Sequence, residues 1–357
     1  MELKASLRRA PRPVGFAVVG VLIFILALSL LKEGASGLRP LMNHLHVGGV
    51  VNALGFGWLM AYVVLSGSPV ATVSLTLFDG HLLSGVQTFA MITGSRLGAS
   101  FIVLFVGFVY WLRGQQRAAS VSIGILSLLV TASIYLPAMA LGCVLLGTHW
   151  LDTARLGSVG SVNSIVGMMY DPVIDFLANQ LHLPDLILFV SGVGVLLAAL
   201  RIFDKILPEI DPDSSQFNRM SDLVYRPVFM FLLGSGVTLL TLSVSVSLTL
   251  LVPLTAKGYV RRDNIIPYIM GANITTFIDT LMAALLIPAR VGEPSAFVIV
   301  LTEMFSVVVV SLLVLALSYS GYQRTLERAM AWILRDNRTL GVFVTLILAL
   351  PVLLLLM

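Results

Sequence analysis

Long apolar runs that carry almost no charge dominate this sequence. The run 14–31, for example, spans about 18 residues and as an α-helix reaches roughly 27 Å, close to the hydrocarbon thickness of a bilayer. Over the whole chain 58% of the residues are hydrophobic, only 11% are charged, and the mean hydropathy is +0.98. Soluble domains have about 25% charged residues, and β-barrel strands alternate polar and apolar residues. The sequence therefore predicts an all-α, multi-pass membrane protein and excludes an ordinary water-soluble enzyme.

Basic residues precede the first apolar run. Lys4, Arg8, Arg9 and Arg12 stand before residue 14, so we expect an uncleaved first transmembrane helix with its N-terminus in the cytoplasm. The net charge of +4 is modest, and we expect it to come from basic loops on one membrane face. We expect no nucleic-acid partner. A single cysteine, Cys143, excludes an internal disulfide, and no metal site is expected. The basic N-terminal segment and the absence of disulfides predict a location in the bacterial inner (cell) membrane.

When the sequence is aligned with itself so that Gly57 falls on Gly234, the polar interruptions of the two halves match without a gap. We call this constant displacement along the chain the repeat shift. Matches concentrate where small polar residues interrupt apolar runs, which is the sequence mark of transporters built from two repeats around a midplane site. The repeat shift also carries Ser66 onto Ser243, Ser68 onto Ser245, Thr72 onto Thr249, and the segment 94–97 onto 271–274.

Each half is predicted to hold a re-entrant helical hairpin and a broken transmembrane helix. Proline and glycine favour an interruption at 66–69, and glycine predicts further breaks at 94–98 and 271–273. If the Ser-rich segments are hairpins, most of the 22 Lys and Arg residues fall on the cytoplasmic side, and the two repeats are inverted. The predicted divisions are 1–148 (first repeat), 149–184 (extracytoplasmic linker), 185–320 (second repeat), and 321–357 (cytoplasmic loop and an extra C-terminal transmembrane helix).

The hydroxyl groups beside these breaks are candidate ligands for an anion or for sodium. Serine and threonine in membrane helices also commonly bond to the preceding turn or mediate packing, so each one alone has that alternative. Their repetition at one spacing favours a functional role. The candidates are Ser66, Ser68, Thr72, Ser243, Ser245 and Thr249.

Two ionisable residues lie within apolar segments. Charges at membrane depth are costly and tend to mark function. Arg96 offers paired donors to a phosphate or carboxylate, and Asp279 offers a sodium ligand or a proton carrier. The alternative, which is compatible with function, is a structural ion pair between the two side chains.

These segments resemble the bacterial and type II sodium/phosphate cotransporter family. The family repeats a Gln-Ser-Ser-Ser motif and then Gly-Ala-Asn-Ile-Gly-Thr-Thr. The likeness covers roughly residues 41–112 and 218–290. The corresponding residues here are Leu65-Ser66-Gly67-Ser68, Leu242-Ser243-Val244-Ser245, Gly94-Ser95-Arg96-Leu97-Gly98 and Gly271-Ala272-Asn273-Ile274-Thr275-Thr276.

The resemblance implies a sodium-driven symporter of inorganic phosphate, or of a related small anion, that works by alternating access. Sodium would be its coupling ion and it would need no other cofactor. Its partners would be phosphate, sodium and the lipid bilayer, and a homo-oligomer is compatible with the sequence. The resemblance also implies that Ser66, Ser68, Ser243 and Ser245 line the site and that Asn273, Thr275 and Thr276 flank it.

Two other functions are compatible with the apolar composition. A membrane enzyme acting on a lipid phosphate needs a general acid or base, and the breaks have only Asp279 nearby. The other alternative is a channel or a non-transporting subunit of a membrane complex. In that case the repeat would reflect common ancestry of the two halves and would have no role in transport. We expect a transporter and not an enzyme.

Overall fold

The computed structural model describes most of the chain. The described residues are 11–45, 47–112, 117–151, 160–204, 226–241, 244, 247–248, 251, 264–288 and 293–357. Every regular element among them is helical. Seven helical stretches in this part of the chain are long and apolar enough to cross a membrane, which is compatible with the predicted multi-pass membrane protein.

Among the described residues of the first half there are six α-helices. They are α1 (Pro11–Gly34), α2 (Arg39–His44), α3 (Val50–Val64), α4 (Gly67–Asp79), α5 (Gly85–Leu112) and α6 (Arg117–Gly147). The predicted linker 149–184 contains a further helix, α7 (Gly160–Asp175).

The second half begins with α8 (Asp185–Asp204). It continues with α9 (Pro227–Thr241), α10 (Ile265–Thr275), α11 (Phe277–Leu285) and α12 (Ala296–Leu313). The segment expected to hold a loop and a last transmembrane helix is itself largely helical, with α13 (Tyr319–Ile333) followed by the apolar α14 (Asn337–Leu356).

Helices α3 and α4 form a hairpin against α5. The interruption predicted at 66–69 is found at Leu65 and Ser66: α3 ends at Val64, Leu65 takes a left-handed conformation with φ 54°, Ser66 is extended, and α4 starts at Gly67, so that 67–69 form its first turn. Gly67 packs against Ser95 in the middle of α5, where a Cβ added to the glycine would lie 2.9 Å from the Ser95 carbonyl oxygen. The turn of the hairpin therefore lies beside the middle of α5, not at its end.

The predicted break at 94–98 is wrong, because α5 is continuous from Gly85 to Leu112. A Cβ added to Gly94 would lie 2.1 Å from the Leu54 carbonyl oxygen of α3. This glycine serves the close approach of two backbones, and the packing outweighs the roughly 1 kcal/mol that glycine costs inside a helix.

The predicted break at 271–273 is also wrong. Helix α10 runs through it, and the interruption lies at Thr276, between α10 and α11. A Cβ added to Gly271 would lie 2.0 Å from the Phe231 carbonyl oxygen of α9. Gly271 therefore serves a close approach of two backbones, as Gly94 does. The repeat shift carries both residues of the first contact, Leu54 and Gly94, onto Phe231 and Gly271.

A second pair of glycines repeats this relation. A Cβ at Gly57 would lie 2.1 Å from the Met91 carbonyl oxygen, and a Cβ at Gly234 would lie 2.1 Å from the Tyr268 carbonyl oxygen. The repeat shift carries both residues of the first contact onto those of the second. The crossing of α3 with α5 and the crossing of α9 with α10 therefore use residues that the repeat shift makes equivalent.

Helices α1 and α8 pack in opposite directions. Gly192 approaches Leu31 and Gly34 approaches Phe189, and Gly37, in the 3-10 turn 35–38 that follows α1, approaches Leu186. Because residue numbers rise along α1 as they fall along α8, the two helices are antiparallel.

Candidate functional site

A small cavity, lined mostly by buried residues, lies where the α3–α4 hairpin, α5 and the α10–α11 junction meet. Its volume is about 20 Å³, enough to hold a water molecule. Its lining combines hydroxyl groups, one guanidinium group and one amide. The lining residues are Ser66, Gly67, Ser68, Arg96, Ala99, Ser100, Val244, Asn273 and Thr276.

The lining draws on equivalent positions of the two halves. The repeat shift that relates the glycine contacts also carries Arg96 onto Asn273. It carries two further lining residues, Gly67 and Ala99, onto Val244 and Thr276. The cavity therefore lies between matching parts of the two halves.

The N-terminus of α4 forms one wall of the cavity. Ser66, Gly67 and Ser68 are consecutive at this end, and the Ser66 side chain makes no capping hydrogen bond. The first amide groups of a helix have no intrahelical partner and carry the positive end of the helix dipole. This wall therefore favours a negatively charged solute.

Arg96 supplies the positive charge of the site. Its side chain is 4% exposed and lies on the continuous helix α5. Nη1 donates to the Ser68 hydroxyl at 3.3 Å and to the Thr276 hydroxyl at 3.2 Å. Nη2 donates to the Thr280 hydroxyl at 2.6 Å and to the Thr276 carbonyl oxygen at 3.4 Å. One side chain thus links the hairpin of the first half to the helix junction of the second.

Asp279 is the ionic neighbour of Arg96. Its Oδ1 lies 3.9 Å from Nη2, and the Thr280 hydroxyl, which accepts from Nη2, donates to the same Oδ1 at 2.9 Å. Asp279 is 7% exposed, so both charges are buried. The separation is too long for a direct hydrogen bond, and the pair is therefore bridged by Thr280.

The guanidinium group is not fully hydrogen-bonded. Its Nε has no hydrogen-bond partner among the described residues, and neither does Asp279 Oδ2. The guanidinium carbon lies 4.8 Å from the ring centroid of Phe277, which holds the group by a cation–π contact. A small oxyanion in the cavity would meet hydroxyl donors, helix amides and this cation together.

Asn273 is held by α6. Its amide nitrogen donates to the Thr131 hydroxyl at 3.0 Å, and its backbone carbonyl oxygen accepts from the Tyr135 hydroxyl at 2.8 Å. These contacts fix the second-half counterpart of Arg96 at the cavity wall.

The predicted site residues divide into three groups. Ser66, Ser68, Arg96, Asn273 and Thr276 line one cavity, and Asp279 adjoins it through Arg96. Thr72 is buried on α4 outside the lining, and the Thr275 hydroxyl donates to the Gly271 carbonyl oxygen, as back-bonding predicts. Ser243, Ser245 and Thr249 lie outside the described residues.

Sequence reasoning missed the buried carboxyl group of Glu303. This side chain lies on α12, and its Oε1 accepts from the Thr93 hydroxyl of α5 at 2.8 Å. A signal for it exists, because Glu303 is the only charged residue in 296–318, and the same kind of signal points to Asp279. Thr280, which bridges Arg96 and Asp279, was also missed, and an uncharged threonine in an apolar helix gives no such signal.

Within the described part of the chain, no group of three or more His, Cys, Asp or Glu side chains is arranged to hold a metal ion. No protein-family model, curated protein or solved structure matches this chain.

Proposed function

We propose that this protein is a secondary active transporter that moves inorganic phosphate, or a related small anion, together with sodium. The observation that carries the proposal is the cavity itself, whose lining includes Arg96 and Asn273, matching positions of the two halves. Transporters built from two repeats bind their substrate between them, near the middle of the bilayer. A cation, helix amides and hydroxyl groups are the donors that recognise an oxyanion.

The depth of the cavity supports this assignment. Helix α5 has 28 residues and so extends for about 42 Å, and the hairpin turn at Ser66 lies beside its middle. We propose that α3 and α4 form a re-entrant hairpin that enters the membrane and returns. Irregular backbone at such depth is tolerated where protein or water covers it, and Ser66, Gly67 and Ser68 beside the turn line the cavity.

We further propose that the two halves are inverted repeats. Helices α1 and α8 are antiparallel, and the repeat shift aligns 14–31 with the apolar run that begins near Ser191 in α8. Equivalent helices that run in opposite directions are expected when the pseudo-twofold axis lies in the membrane plane. With its basic N-terminus in the cytoplasm, α1 would run outward and α8 inward.

We propose that the transporter works by alternating access, and the small size of the cavity supports this proposal. At about 20 Å³ the cavity accommodates a water molecule, and phosphate is larger. Loading would therefore require the α4 end of the hairpin to move away from Thr276, which breaks the bridge that Arg96 makes between Ser68 and Thr276. We propose that bound anion replaces these two contacts of the guanidinium group.

Uptake of radiolabelled phosphate into proteoliposomes tests the proposal. We expect uptake when sodium is present outside, and its loss when choline replaces sodium. Because each net positive charge moved inward gains about 2.3 kcal/mol per 100 mV, a membrane potential negative inside should speed uptake if the transported complex is cationic. Binding of phosphate in detergent without any uptake would favour a non-transporting subunit, and uptake that is unchanged in choline would rule out sodium coupling.

A further inference from the structure

Glu303 is a second ionisable site in the membrane-spanning core. Its side chain is 1% exposed and lies on α12, outside the cavity lining. In the segment 296–318 every other residue is uncharged. A carboxyl group in such a place is costly to bury and tends to be retained for a function.

The polar surroundings of Glu303 are sparse. Oε1 lies 2.8 Å from the Thr93 hydroxyl, and Oε2 has no hydrogen-bond partner in the part of the chain that the structure describes. The same hydroxyl lies 3.1 Å from the carbonyl oxygen of Phe89, one turn earlier on α5. A hydroxyl has one proton, so it donates to only one of these two oxygens at a time.

Two hydrogen-bond arrangements are therefore open to the pair. With an ionised carboxylate, Thr93 donates to Glu303 and one bare carboxylate oxygen stays buried. With a protonated carboxyl group, Glu303 donates to Thr93, and Thr93 donates to Phe89. An ionised group with a single neutral partner in a membrane interior carries a large desolvation cost, which the second arrangement avoids.

A proton fits this site better than a metal cation. Hard cations need a shell of several oxygen ligands, and among the described residues Glu303 has one hydrogen-bond partner, the Thr93 hydroxyl. The other charged or titratable groups that face it are Arg96 from α5, and Tyr135 and Cys143 from α6. On α10 and α11, which also pack against α12, the titratable residues are Tyr268 and Asp279.

We propose that Glu303 is a proton-binding site whose occupancy is linked to anion binding through Arg96. Thr93 precedes Arg96 by about one helical turn on α5. The negative charge of an ionised Glu303 would partly neutralise the positive charge of Arg96 and so weaken its attraction for the anion. A protonated Glu303 is neutral and would not weaken that attraction. The linkage, which rests on the proposed anion site, has a definite sign: anion binding favours proton uptake, and anion affinity falls as rising pH removes the proton.

Infrared spectroscopy of the wild-type protein and Glu303→Gln tests the proton site without any transport assay. We expect a carboxyl band of a protonated acid in the wild type that is lost in Glu303→Gln and kept in the control Glu33→Gln, whose side chain is exposed. Thr93→Val should shift the same band, since the hydroxyl partner is removed; this variant retains Glu303 if Glu303→Gln does not fold. Spectra of wild type and Glu303→Gln without a difference in this band would overturn the proposal.

Calorimetry of phosphate binding in two buffers with different ionisation heats tests the linkage. At a pH where the infrared band shows Glu303 to be only partly protonated, net proton uptake should be larger in the wild type than in Glu303→Gln, and the titration of phosphate itself is common to both. Equal proton uptake would overturn the linkage and leave the anion site standing. A protonated band with no phosphate binding would support the proton site and refute the proposed function.

Discussion

The two walls of the cavity share a backbone arrangement and differ in chemistry. In the first half, α3 and α5 cross through Gly94, and in the second half α9 and α10 cross through Gly271, with carbonyl oxygens at nearly the same distance from each glycine. At the cavity, however, the first half presents Arg96 and the second half presents Asn273 at the equivalent position.

The two halves therefore share the glycine contacts that hold the helices together, and they differ in the side chains that face a solute in the cavity. The glycine contacts are set by backbone against backbone, and any side chain there would separate the helices. The cavity wall has no such constraint, so a guanidinium group can replace an amide without changing the helix crossing. Arg96 reaches across to Thr276 and Thr280, whereas Asn273 bonds to Thr131 and Tyr135 of α6. The half with arginine is therefore the expected centre of anion recognition.

The largest expected effect is the loss of a helix crossing. Gly94→Ala and Gly271→Ala should each lower the free energy of unfolding by about 3 kcal/mol, the upper end of the usual range for overpacking, because a backbone must move to admit the methyl group. Thermal unfolding in detergent measures the change, and the two variants should have similar effects if the two crossings are equivalent.

Gly194→Ala is the matched control. This glycine lies on α8 with nothing within 4 Å of an added Cβ, so alanine should leave stability unchanged or raise it by up to about 1 kcal/mol through helix propensity. Marked destabilisation by only one of the two crossing variants would show that the two halves are not built alike.

The next effect concerns the charged wall. Removing the Arg96 guanidinium should weaken phosphate binding about 10- to 100-fold, since hydrogen bonds to charged groups contribute about 1.5–3 kcal/mol. The double variant Arg96→Gln/Asp279→Asn is preferred, because Arg96→Gln alone would leave the Asp279 charge buried without its neighbour. Calorimetric titration with inorganic phosphate measures the affinity.

Two comparisons sharpen this result. Arg201→Gln, at an exposed position of α8, should bind phosphate like the wild type. Asn273→Ala should weaken binding less than the double variant, because an amide lacks the charge. An equal loss in Asn273→Ala would remove the proposed asymmetry between the two walls.

The smallest expected effect is at the hairpin turn. Ser68→Ala removes one hydroxyl that lines the cavity and should weaken phosphate binding about fivefold, corresponding to roughly 1 kcal/mol for a neutral hydrogen bond. Ser74→Ala on the same helix is its control, since that hydroxyl donates to the Ala71 carbonyl oxygen and does not line the cavity. If the two variants bind phosphate equally well, Ser68 acts in packing alone.

Part of the site is predictable because its signals are local. Proline, glycine and serine at 66–69 oppose a continuous helix through their own backbone and side-chain properties, and the structure interrupts the helix at the start of this segment, at Leu65 and Ser66. Arg96 and Asp279 stand out as charges within apolar segments, and they lie together. Glu303 carries the same signal and was overlooked.

The two wrong breaks have a different origin. Glycine in a sequence is compatible with a flexible joint and with a tight helix crossing, and only the neighbouring backbone distinguishes them. At Gly94 that neighbour is the Leu54 carbonyl oxygen and at Gly271 it is the Phe231 carbonyl oxygen. No property of residues 94–98 alone contains this information.

The membrane class, the repeat shift and the hairpin turn follow from the sequence, because apolar run length and local backbone preferences act within a segment. Which glycines join helices, how Thr280 bridges Arg96 to Asp279, and the burial of Glu303 against Thr93 were decided by the tertiary structure. Those features depend on groups from separate helices that meet only when the chain is packed.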